Sequence, residues 1–192
     1  MKIIETNLKC NAKKRTITNK IILHHSASTI GNAKTFHEWH KNKGYGGIGY
    51  HFVILKNGII ERGRNEDSVG AHCVGQNYCS IGICLVGDFT KEKPTNEQIS
   101  ACIELCSWLC DKYSIKAPRD IYGHNYFSRT ACPGFLVNDL IANHITTINN
   151  PITYTVKASD TIESIAKTYN TTANNIAILN GLISVGNTIR VK

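Results

Sequence analysis

The chain has 192 residues, of which 42% are hydrophobic and 19% charged, a balance that excludes a disordered chain and fits a folded domain with room for one small extra module. Its formal net charge is +8, but no dense Lys/Arg block carries it. The excess suits an acidic polymer, while the lack of such a block and of an aromatic RNA motif speaks against a dedicated nucleic-acid binder. No apolar run approaches the roughly 20 residues of a membrane span, and the opening stretch shows no apolar core of signal-peptide length. Neither a membrane partner nor an export signal is expected.

The first predicted element is "KIILHH", residues 20–25, a short apolar run that reads as a buried strand ending in His24 and His25. Strand alternation sends these two side chains to opposite faces, so they do not both serve one site. "AKTFHEWHKNKG" reads as a helix ending at Gly44, with Trp39 expected in the core and His40 at the edge of a cleft. "GYHFVILKNGIIERG" reads as strand, Asn57-Gly58 turn and strand, a strong hairpin signal. Arg62 and Arg64 near its end read as solvated surface. "SIGICLVGDF" is another buried strand. Thr95 and Gln98 then form a capping box ahead of a helix whose apolar stripe is Ile99, Cys102, Ile103, Cys106, Leu109, Cys110 and Tyr113. "RDIYGH", residues 119–124, is a further short strand. Strands alternating with helices in mixed directions give an α/β fold, a mixed central β-sheet flanked by helices.

Eight cysteines are present, without a Cys-x-x-Cys pair. The three on the long helix read as small core residues rather than a metal cluster. Cys10, Cys73, Cys79 and Cys84 are read the same way, and a reducing compartment follows.

Asn149, Asn150 and Pro151 form a polar turn cluster, so the chain divides into a first domain over 1–148, a linker over 149–152 and a small domain over 153–192. In the last part "TYTV" is a strand. Asp160 and Glu163 have capping-box spacing before a helix with Ile162, Ile165, Ala166 and Tyr169 on one face. Ile176 and Leu179 mark a second short helix, Asn180-Gly181 ends it, and "TIRVK" closes with a strand. This β-α-α-β order, with its Tyr-Thr-Val start, Leu-Asn-Gly and terminal Ile-x-Val, resembles a LysM module. The resemblance implies binding to the N-acetylglucosamine-containing glycan of peptidoglycan or chitin.

The stretch "YGHNYFSRTACPGF", residues 122–135, places His124 and Cys132 in one loop. A catalytic zinc keeps three protein ligands and one open position. Among the eight histidines His24 is the best third candidate, because a strand end holds a side chain rigidly beside a loop. His51 reads as a core or supporting residue. On the residues alone, a metal site and a set of unrelated core residues both remain open.

The ordered motifs "LHHSAS", "GGIGYHFVILKNGIIERGR", "VGAHCVGQN", "SIGICLVGDF" and "GHNYFSRTACPGF" resemble the type 2 N-acetylmuramoyl-L-alanine amidases, which include bacteriophage lysozyme-type amidases and peptidoglycan recognition proteins. The similarity runs from about Ile21 to Leu140. It implies a peptidoglycan recognition protein-like fold, Zn2+ held by His24, His124 and Cys132, and hydrolysis of the amide between N-acetylmuramic acid and L-alanine of the stem peptide. Zinc activates water for that attack, and Tyr50 stabilises charge on the carbonyl oxygen. Thr130 stands where some relatives carry Lys; it can orient the substrate or the water but supplies no positive charge. No Glu is placed as a general base. His72 and Asn77 are implied to line the substrate groove, the alternative being hydrogen-bonded loop residues; His40 joins the groove at the cleft edge by its place on the early helix, and Arg62 and Arg64 meet stem-peptide carboxylates in the alternative to solvated surface. Together the modules imply a wall-lytic enzyme whose partner is peptidoglycan, glycan strands through the LysM and stem peptide through the cleft. Without an export signal it is expected to be a phage-type endolysin kept in the host cytoplasm until release to the wall. A non-catalytic peptidoglycan receptor and a bacterial autolysin are the alternatives.

Overall fold

The structure, a computed structural model, describes residues 1–134, 153–169, 173, 176 and 188–190. The 149–152 linker, the end of the first domain, and the Leu179 and Asn180-Gly181 features lie outside the described residues.

Six strands of the first domain form one mixed sheet: β1 (Ile3–Glu5), β2 (Lys20–His25), β3 (Phe52–Ile54), β4 (Ile60–Arg62), β5 (Ser80–Leu85) and β6 (Ile121–Gly123), in the spatial order β1-β4-β3-β5-β2-β6. β3 and β4 form the expected antiparallel hairpin around Gly58, whose φ of 78 lies in the left-handed region that glycine tolerates. Every other pairing in the sheet is parallel. β1 was not anticipated from the sequence. It is three residues long and mostly exposed, so it carries no apolar alternation to read.

The neighbouring strands β2 and β5 are almost wholly buried because both faces of the sheet are covered. Ile21 and Leu23 of β2 and Ile81, Ile83 and Leu85 of β5 pack under α2 (Asn96–Tyr113), against Cys102, Leu105, Cys106 and Leu109. α2 opens with the expected box, the Thr95 hydroxyl accepting from Gln98 N–H and the Gln98 side chain accepting from Thr95 N–H. The helix thiols are buried and free, as their stripe implied. Each fully buried Ile or Leu contributes about 1.5–3 kcal/mol, so this layer anchors the domain. On the other face, Ala33 and Phe36 of α1 (Ala33–Asn42) pack against Val53, Cys84 and Val86. Trp39 is not core. It is 43% exposed and its ring is tilted against that of Phe36, because α1 buries Ala33, Phe36 and His37 and Trp39 falls about a third of a turn away from the centre of that row.

In the last part, β7 (Thr153–Thr155) pairs antiparallel with β8 (Thr188–Arg190), and a helix spans Ile162–Thr168. Val156, Ile165, Ala166 and Ile176 form its core. The helix is capped one residue later than the sequence suggested: Thr161 is the cap and Ser164 completes the box. Asp160 instead accepts the Lys157 amide and the Tyr154 hydroxyl.

Buried histidines of the first domain make its stability depend on acid. His51 is fully buried; its Nδ1 accepts from Gly82 N–H, and its Nε2 lies 2.8 Å from Arg15 Nη1 and 3.0 Å from Ser68 O. Burial and the nearby Arg15 guanidinium lower its pKa to about 3, and burial with Lys43 lowers that of His40 to about 4. An unfolded His titrates near about 6.5, so the unfolded chain takes up protons first. The stability from these groups is present above pH ~6.5 and is lost as pH falls toward ~4. With chelator present to remove metal effects, the melting temperature is expected to fall steadily from pH 7 to pH 4.5. A melting temperature that stays flat over that range contradicts this account.

Candidate metal centre and cleft

Alternation along β2 turns Ile21 and Leu23 toward α2 and His24 to the opposite face, beside Cys84 of β5 in register. β6 runs parallel to β2 with Leu23 opposite Gly123. The residues that follow this pair are His24 and His124, and their rings lie 4.6 Å apart. A single 3-10 turn, His124–Tyr126, then leads into the loop that carries Cys132. That loop closes on itself: Asn125 N–H donates to Cys132 O at 2.8 Å, Cys132 N–H to Thr130 Oγ1 at 3.2 Å and Gly134 N–H to Ala131 O at 2.8 Å. At Gly123 a Cβ would stand 2.8 Å from Pro133 Cδ, so glycine is what lets the loop return this closely.

Cys132 Sγ consequently lies 3.7 Å from His24 Nδ1 and accepts from His25 N–H at 3.4 Å. The ligand-type atoms of His24, His124 and Cys132 all lie within 4.8 Å of one another, and this is the one such His/Cys/Asp/Glu group among the described residues. A tetrahedral centre with one imidazole and one thiolate ligand sets those two atoms roughly 3.6 Å apart, so the His24–Cys132 separation suits zinc. Burial is the first cause that keeps His24 and His124 neutral, with neighbouring histidines adding to it. Burial pushes the Cys132 thiol up to about 12, against the pull of the His25 amide. Neutral imidazoles offer lone pairs, and a bound cation would favour the thiolate. The residues fit a divalent metal. His25, as its alternation required, faces away; its Nδ1 accepts from Phe89 N–H at 3.1 Å.

Of the trio, His124 lines a cleft of about 560 Å³, together with His40, Tyr50, His72, Asn77 and Ser128, among others. Tyr50 is half-buried, with its ring 5.2 Å from those of both His24 and His40. Burial holds its hydroxyl well above the ordinary phenol range, so it remains a hydrogen-bond donor. His40 Nδ1 accepts from Gly49 N–H at 2.8 Å, which leaves the proton on Nε2. Asn77 Oδ1 accepts from both His72 and Cys73 N–H, stapling the loop it belongs to. Thr130 is exposed, and its hydroxyl caps the Cys132 amide. A larger depression of about 800 Å³, between Lys9, Cys10, His37 and Lys41, is more open and contains none of the trio.

Arg62 and Arg64 do not meet the cleft, and Arg64 is not solvated. Arg64 is 2% exposed and donates to the carbonyls of Ile48, Val69 and Tyr45. Arg62 is held by Glu5 and Glu66. Glu66 lies four residues past Arg62 but beyond the strand, and Glu5 belongs to the unanticipated β1, so neither partner has a pattern to read. Sequence reasoning also missed Ser128 in the cleft wall and the contact of His72 with His24, 3.0 Å between Nδ1 and Nε2. Neither has a local signal, because loops bring them in.

Residues 13–135 match the sequence profile described as N-acetylmuramoyl-L-alanine amidase, and residues 154–192 match that of the LysM domain. The endolysin of Enterobacteria phage K11 is 36% identical over 130 residues, covering 64% of this chain and 84% of the phage protein. The solved N-acetylmuramoyl-L-alanine amidase LysC from Clostridium intestinale superposes with a TM-score of 0.70 at 35% identity, over 75% of this chain and 97% of that one. The wild-type peptidoglycan recognition protein LB of Drosophila shares the fold, with a TM-score of 0.64 at 24% identity over 76% and 93% of the two chains.

Proposed function

Because the chain belongs to the N-acetylmuramoyl-L-alanine amidase family and carries a LysM domain, we propose that it is a zinc-dependent peptidoglycan amidase of the endolysin type, cutting between N-acetylmuramic acid and the L-alanine of the stem peptide. The observation that carries this reading is the His24/His124/Cys132 trio, with His24 and Cys132 buried and His124 half-buried in the wall of the cleft. A receptor that only binds peptidoglycan has no use for a buried thiol beside two neutral imidazoles.

His24 and His124 would hold zinc through their lone pairs and Cys132 through its thiolate. Zinc bound there supplies Lewis-acid polarisation and an activated water. Tyr50, kept protonated by burial, donates its hydroxyl hydrogen to the amide oxygen as charge builds on it. His40, with its proton on Nε2, donates to a stem-peptide carbonyl or carboxylate. Asn77 and His72 shape the wall that the stem peptide meets. Thr130 holds the Cys132 loop through its hydroxyl and, lacking charge, orients substrate rather than stabilising an anion. No carboxylate of the described residues lines the cleft; the proton of the attacking water therefore falls to solvent rather than to a Glu of metalloprotease type, with Tyr50 acting as hydrogen-bond donor.

The LysM segment binds wall glycan and holds the catalytic domain near its substrate. Tethering raises the effective concentration without any new contact in the cleft. In this reading the protein accumulates in the host cytoplasm and acts once it is released to the wall.

Purified peptidoglycan is expected to release peptides with new L-alanine amino termini, without new reducing sugar ends, and a chelator is expected to stop the release. Cys132→Ala should lower it by at least about a thousandfold, as loss of a mechanism's central group does. Product with reducing ends, or full activity of Cys132→Ala, would sink the assignment. A chain ended after residue 150 is expected to hydrolyse soluble muropeptides at the full-length rate but to pellet poorly with intact walls. Equal pelleting of the two chains would remove the anchoring role.

A further inference from the structure

His72 lines the cleft, but it is only 8% exposed, and its hydrogen bonds run inward. Its Nδ1 lies 3.0 Å from His24 Nε2, and its Nε2 lies 3.4 Å from Ser80 Oγ, which donates to Gln76 O at 2.7 Å. One proton arrangement satisfies every link. Because Ser80 uses its hydrogen on Gln76 O, its oxygen accepts from His72 Nε2–H. His72 Nδ1 is then the unprotonated nitrogen and accepts from His24 Nε2–H. His24 is thereby left with its lone pair on Nδ1, the atom 3.7 Å from Cys132 Sγ.

We infer that His72 is a positioning residue for the metal: through the Gln76–Ser80–His72 chain it fixes the tautomer and ring orientation of His24. The inference rests on the reading of His24 as a zinc ligand. Ligating histidines commonly donate their second N–H to a carboxylate, carbonyl or water, and that partner governs metal affinity. Here a second imidazole takes the place of the carboxylate.

The surrounding structure holds this ring in place. At Gly70 and at Gly82 an added Cβ would come within 2.5 Å of His72 Cδ2, so the ring occupies a slot that exists because both positions are glycine. Gly82 lies on the same face of β5 as Ser80 and Cys84, the face that His24 shares on β2. The His51 ring closes the slot edge-on at 5.6 Å, and Asn77 Oδ1 accepts the His72 amide at 2.8 Å. A ring placed only to touch substrate has no need of this inward bonding.

The test is zinc affinity of the full chain, measured by competition with a chromogenic chelator, with circular dichroism to confirm folding. Wild type is expected to bind one zinc. His72→Ala should bind it about 10- to 100-fold more weakly, and His72→Asn, whose amide oxygen replaces the Nδ1 acceptor, should recover most of the loss. Ser80→Ala should weaken binding in the same direction and decides the matter if His72→Ala does not fold. Side-chain nitrogen NMR of the zinc-loaded protein should show His72 protonated on Nε2. Affinities of His72→Ala or Ser80→Ala within about twofold of wild type, or a proton on His72 Nδ1, would overturn the inference while leaving the zinc reading intact. A wild-type chain that binds no zinc would overturn both.

Discussion

The site depends on the parallel pairing of β2 with its two neighbours, β5 and β6. Parallel strands present their carboxyl ends along one edge of the sheet, which is where such sheets gather ligands. The register of β2 on β6, with Leu23 opposite Gly123, brings His24 and His124 together just past that edge. A shift of one residue would turn His24 into the α2 layer and bury an imidazole among Ile and Leu side chains. The apolar layer of Ile21, Leu23, Ile81, Ile83 and Leu85 opposes that shift, since each of those residues would then leave the core. The hydrophobic pattern that makes the strands is thus also what aims His24.

The opposite face obeys the same alternation with different residues. Ser80, Gly82 and Cys84 follow one another along β5 beneath the cleft: an acceptor, a space and a small thiol. The space at Gly82 admits His72, and the acceptor at Ser80 orients it. Cys132 reaches the trio from a loop that is closed by its own hydrogen bonds and docked by the His25 N–H on Cys132 Sγ. Two members of the trio are therefore placed by the sheet and one by a loop.

Much of this was legible in the sequence because the decisive features are local. Lys20–His25 and Ser80–Leu85 are apolar runs of strand length, Asn57-Gly58 marks a hairpin, and Thr95 with Gln98 marks a helix start. The ordered motifs tied His24, His124 and Cys132 together across a hundred positions, and the structure brings these three into one cluster. What was not legible depends on partners far away in the chain. Arg64 looked like surface charge because nothing nearby announces the carbonyls of Ile48, Val69 and Tyr45 that enclose it. Trp39 looked like core because composition does not say which side of α1 meets the sheet. β1 pairs through its backbone and leaves no side-chain pattern. His72 read as a groove residue because its partners, His24 and Ser80, meet it only when the sheet is assembled.

The central claim is that two imidazoles and one thiolate of this chain, those of His24, His124 and Cys132, hold a single zinc ion beside the cleft. X-ray absorption at the zinc edge, on the full chain loaded with one equivalent of zinc, tests it most directly. The account predicts a first coordination sphere with one sulfur at about 2.3 Å and nitrogen or oxygen neighbours at about 2.0–2.1 Å, the sulfur disappearing in Cys132→Ala. A sphere without sulfur in the wild-type protein, or one with several sulfurs drawn from the other cysteines, would contradict it.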